Sequence, residues 1–135
     1  YDEGEYLLQE LSNVLSDKKY TLVIDKLLRE PKTKEGIAYA AKLNKRGIEY
    51  HKAESYDRAI SSFEKGLHEL PNHIGLNLNL IQSIIGKSKS ETLSKRDIEL
   101  MRHSFKRLGN VSKHPSHKDR YEFLYKRYKR LIDAE

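Results

Sequence analysis

The chain contains no cysteine, and no run of apolar residues in it approaches the length of a bilayer crossing. Without thiols there can be no disulfide staple, no thiolate nucleophile and no cysteine-based zinc site. The same lack agrees with a reducing cytoplasm, the compartment we expect, with no membrane partner. No signal peptide is visible at the N-terminus, although a first residue of Tyr1 rather than Met leads us to expect an excised part of something longer. Also missing are a phosphate-cradling glycine loop, paired catalytic carboxylates and any nucleophile–base–orienter set. The expectation is a non-enzyme with no catalytic residue, no metal and no cofactor.

What is present is a single-domain length of 135 residues, 37% hydrophobic and 34% charged. That is wet for a globular domain but enough for a modest helical core, and it suits thin stacked helix pairs that expose much of their surface. Net charge is +6. Residues 1–30 carry seven acidic and four basic side chains, whereas residues 102–130 carry ten basic and two acidic ones. The acidic start and basic end make a polarity that points to an acidic partner surface or, less strongly, to nucleic acid.

Helical periodicity runs almost throughout. Leu7, Leu11, Val14 and Leu15 mark one helix face, and Tyr20, Val23, Ile24, Leu27 and Leu28 mark a second, closed by Pro31. Further helices are predicted over 34–53 and 55–70. Asn72 is the expected N-cap of the next, 74–85, which is apolar on most faces and therefore central, and which offers a surface for homodimer formation. Ser94 and Asp97 resemble a capping box ahead of Ile98, Met101, Phe105 and Leu108, with Gly109 as terminator. Ser116 and Asp119 are read as the cap of a last helix, 117–134, whose buried stripe is Tyr121, Leu124, Tyr125, Tyr128, Leu131 and Ile132. Residues 86–90 and 110–115 read as flexible linkers.

The segment 43–71 carries the strongest motif. Leu43, Gly47, Tyr50, Ala59, Phe63 and Pro71 stand at the spacings of the tetratricopeptide signature, which this stretch resembles, with Leu43 in place of Trp and Arg46 in place of Leu. Gly47 allows close helix approach, Ala59 is its small counterpart, and Pro71 stops the second helix. Residues 3–30 echo the pair at an offset of 36, with Leu11 and Val23 where the small residues would be. The resemblance implies an all-α domain of antiparallel, solenoid-type helix pairs: a degenerate repeat over 3–30, a well-matched repeat over 34–71, a degenerate pair over 73–109 and a capping helix. It also implies a protein or peptide partner held on the concave face. Carried over residue by residue, that groove is Asn44, Ile48 and His51 with Leu78, Asn79 and Gln82.

The remaining signals have plain readings beside functional ones. His114 and His117 are spaced like two ligands, but Pro115 between them and the want of a carboxylate cluster favour a surface turn. His51, His68, His73 and His103 are read as surface or groove residues. Lys126, Arg127, Lys129 and Arg130 interleave with tyrosines, a pattern that serves nucleic acid, an acidic protein or merely a solvated face. The run 40–87, with its LNLNLIQ core, also resembles the C-terminal tetratricopeptide region of certain bacterial response regulators that carry a CheY-like receiver. That likeness implies a scaffold or output role in two-component signal transduction, with the phosphoacceptor outside these residues.

Overall fold

Helix α1 (Lys34–Lys52) starts where the Thr33 hydroxyl accepts from the Gly36 amide at 3.2 Å, and Glu35 lies in its first turn, where the helix dipole favours a carboxylate. It ends in a turn in which Glu54 takes the left-handed φ of 60°, letting Ser55 begin α2 (Tyr56–Glu69). The central helix α3 (Ile74–Ser88), α4 (Lys95–Gly109) and α5 (Pro115–Asp133) complete the order. The computed structural model describes residues 33–109 and 115–133, and among them every regular element is an α-helix, with no strand. The expected pair over 3–30 lies outside the described residues.

Packing radiates from α3. Helix α1 packs on α2, α2 on α3, and α3 meets α4, α5 and one face of α1. All residues of α3 from Ile74 to Ile81 are buried, so its mixed alternation reflects surroundings on every side and not a strand. Leu76, Leu78, Leu80, Ile81 and Ile84 are fully enclosed, joined by Phe63, Met101 and Leu108. Each such side chain contributes about 2 kcal/mol by leaving water. Gly47 is required where α1 crosses α2, because a Cβ there would stand 2.4 Å from the Phe63 ring. Ala59 is fully buried in the same core.

Local signals at the α4 start act as expected. The Ser94 hydroxyl accepts from the Asp97 amide at 3.0 Å, and the Asp97 carboxylate accepts from the Ser94 amide at 3.1 Å, a reciprocal capping box. Other boundaries need correction. The N-cap of α3 is His73, whose Nδ1 accepts from Leu76 at 3.2 Å, not Asn72. The segment 86–90 is no open linker, since α3 continues to Ser88 and Gly86 is buried against Tyr56. Ser116 lies inside α5, which starts one residue earlier at Pro115, a residue whose fixed φ and missing N–H suit a first helical turn. Tyr125, placed in the buried stripe, stands 40% exposed at its edge.

Candidate functional site

Two polar arrangements involve α5, one turned toward α3 and the other toward solvent. The first contains the residues assigned to a groove. Asn44 on α1 and Asn79 on α3 are 1% and 3% exposed, and the Asn79 amide donates to Asn44 Oδ1 at 2.8 Å. From α5 the Arg120 guanidinium donates to Asn79 Oδ1 at 2.6 Å and, through Nε, to Gln82 Oε1 at 3.1 Å. His51 shares a hydrogen bond with Ser83 at 3.0 Å. Leu78 is fully buried, while Ile48, His51 and Gln82 are half-buried.

These side chains therefore tie α1, α3 and α5 together. Asn44, Leu78 and Asn79 are buried between helices and so are not exposed on a groove surface, and the two amides are bonded within the fold. The feature that sequence reasoning missed is Arg120. It stands within the basic run at 102–130, yet it points inward to the amides.

His117 is also buried, not part of a surface turn. Burial first, and then the Arg120 charge, push its pKa from the usual 6.5 down to about 4. The same two influences, with Lys89, lower His51. His73 is buried at its cap, whereas His68 and His103 are exposed. His114 lies outside the described residues. Among the described residues no group of three metal-ligating side chains comes together.

The second arrangement is the outer face of α5. Its inward stripe is His117, Leu124 and Tyr128, so Lys126, Lys129 and Arg130 face solvent and Arg127 is half-exposed. Several other cations are held by partners within the fold. Lys87 pairs with Asp57 and Asp97 at 2.8 and 2.9 Å, Arg96 with Glu64, Arg102 with Glu99, and Arg107 donates to Asn77 at 3.1 Å. Among the described residues, no carboxylate forms an ion pair with Lys126, Arg127, Lys129 or Arg130, although Asp119, Glu122 and Asp133 are exposed on the same helix. The helix dipole accounts only for Arg130, which lies in the last turn.

Aromatic rings border these cations. Phe123 is 56% exposed, with the Arg127 guanidinium 4.8 Å from its ring centroid. On the other flank, Tyr125 lies edge-on to Phe105 at 5.4 Å and stacks on Tyr121 at 6.0 Å, and Tyr128 packs on Phe105 at 4.7 Å. Two clefts lie away from both arrangements. One, of about 380 Å³, is lined by Leu93, Ile98, Met101, Leu131 and Ile132; the other, of about 400 Å³, lies between α2 and α4 and is lined by charged residues including Glu64 and Arg96. No protein-family model, curated protein or solved structure matches the chain. No helix among the described residues is long and apolar enough to cross a membrane.

Proposed function

We propose that this chain is a non-catalytic protein-interaction module of tetratricopeptide-like antiparallel helix pairs, with α5 as the closing helix that presents its binding face. The repeat reading is supported by the Gly47–Phe63 approach, by buried Ala59 and by the end of α2 ahead of Pro71. The binding reading rests on one observation: among the described residues, the cations Lys126, Lys129 and Arg130 face solvent from one helix with no ion pair to a carboxylate, beside the exposed ring of Phe123. Charges left in this way attract an acidic surface and speed its approach. The likeness to response-regulator output regions suggests the setting, a scaffold or output part of a bacterial two-component signalling protein in the cytoplasm.

A nucleic-acid interface would draw on the same cations but also on bare ring faces for bases to stack against. Here one face of Phe123 is covered by Arg127, and Tyr125 is engaged by Tyr121 and Phe105. The protein partner is favoured for that reason. The test is affinity capture from nuclease-treated lysate, comparing the parent chain with a Lys126→Glu, Lys129→Glu, Arg130→Glu variant whose helical circular dichroism is unchanged. A defined protein held by the parent and lost from the variant is expected. Retention of nucleic acid alone, before nuclease treatment, would overturn the reading.

A further inference from the structure

Phe123, Lys126, Arg127 and Arg130 recur at the i, i+3, i+4, i+7 spacing that puts side chains on one side of a helix. They form a stripe away from Leu124 and Tyr128, the core-facing residues of α5. Phe123 has the largest fractional exposure of the big hydrophobic residues described, and two of the three cations around it, Lys126 and Arg130, are exposed. An exposed ring among cations that no described carboxylate pairs asks for two things from whatever covers it: apolar area against the ring, and negative charge around that area. Nucleic acid supplies the second through its phosphates, but the first only by stacking a base on a ring that Arg127 already covers on one face.

We propose that this stripe docks an acidic amphipathic segment of a partner protein, with one apolar side chain against the exposed part of Phe123 and carboxylates against Lys126, Arg127 and Arg130. This rests on the protein-interaction reading above and names the partner's chemistry. The arrangement is that of an interface centre, an aromatic and an arginine in contact, with a charged rim that excludes water once covered. Arg127 is already preorganised over the ring, so little side-chain freedom is lost when a carboxylate arrives.

Fluorescence anisotropy on the full chain tests this with three labelled probes: a helical peptide of glutamates with leucine recurring every three or four residues, an all-glutamate peptide, and oligothymidylate. The glutamate–leucine peptide is expected to bind most tightly. Phe123→Ala should weaken that peptide about tenfold while leaving the all-glutamate probe unchanged, and Lys126→Glu with Arg130→Glu should weaken both peptides. Equal binding of the two peptides, indifferent to Phe123→Ala, would remove the apolar anchor and overturn this inference while leaving an acidic protein partner in place. Tight binding of oligothymidylate with neither peptide held would overturn both. A molecular mass that rises with concentration and falls back in Phe123→Ala would put a second copy of the chain on the stripe and overturn the separate partner.

Discussion

The guanidinium of Arg120 donates to the side-chain oxygen of Asn79 across 2.6 Å, joining α5 to α3 over 41 positions of sequence. Asn79 passes the connection on to Asn44 of α1, so one arginine completes a polar row that crosses three helices. Removing it strands buried acceptors. Arg120→Ala is expected to lower unfolding free energy by about 2 kcal/mol, measured by urea denaturation. Arg120→Lys should recover little, because a single ammonium cannot reach both Asn79 and Gln82 as the planar fork does. Full recovery by lysine would show that charge alone matters there.

Backbone approach makes a second prediction. At Gly47 a Cβ would meet the Phe63 ring at 2.4 Å, whereas at Gly109 nothing lies within 4 Å of one. Gly47→Ala should cost about 1–3 kcal/mol through overpacking. Gly109→Ala, at a helical position without positive φ, should stabilise by up to about 1 kcal/mol. Adding Phe63→Leu to Gly47→Ala should cost less than the two changes summed, and strict additivity would show that the ring is not the obstacle.

Lys87 supplies a third. Its ammonium, raised in pKa by hydrogen bonds to Asp57 and then Asp97, bridges α2 and the α4 cap. Burial alone would raise the Asp97 pKa, but the bonds from Lys87 and Ser94 together outweigh it and the net direction is down. Asp57 is largely exposed, unlike Asp97. Lys87→Met should therefore cost about 3 kcal/mol by leaving the Asp97 carboxylate buried without its cation. Asp57→Asn should cost under about 1 kcal/mol. Thermal melts of the two variants would separate them, and equal losses would contradict the difference in burial.

Acid should weaken the fold through His117. Its folded pKa of about 4 lies below the ordinary 6.5 that it regains on unfolding, so between those values the unfolded chain binds more protons. The stability involved is whole above about pH 6.5 and is lost as pH falls toward 4. Across that window the loss is about 3 kcal/mol, followed by urea midpoints. His51 acts in the same direction, so His117→Gln should flatten the profile without levelling it. Coincident profiles for parent and variant would mean that the imidazole is not held neutral by burial.

Signals confined to a few neighbouring residues were legible without the structure. The Ser94–Asp97 capping box works within one helical turn, and the burial around 74–85 follows from apolar residues on most faces of one helix. Gly47 and Phe63, sixteen positions apart, were legible because a short turn leaves them little choice of where to meet. The α3 cap was harder, since Asn72 and His73 both accept hydrogen bonds and only the backbone geometry decides which one reaches Leu76.

Sequence alone determined the helical class, the central place of α3 and the basic character of the C-terminal end, because periodicity, local capping and charge are properties of the residues themselves. Tertiary structure decided which polar side chains face water. Asn44 and Asn79 look like groove residues until the packed helices bury them and Arg120, from a distant helix, bonds Asn79, and Arg120 is one more cation in a basic run until it turns inward. A hydrogen bond between residues far apart in the chain leaves no mark on the periodicity of either helix. The outer face of α5, with Phe123 among its cations, could be recognised only once Leu124 and Tyr128 were seen to turn to the core.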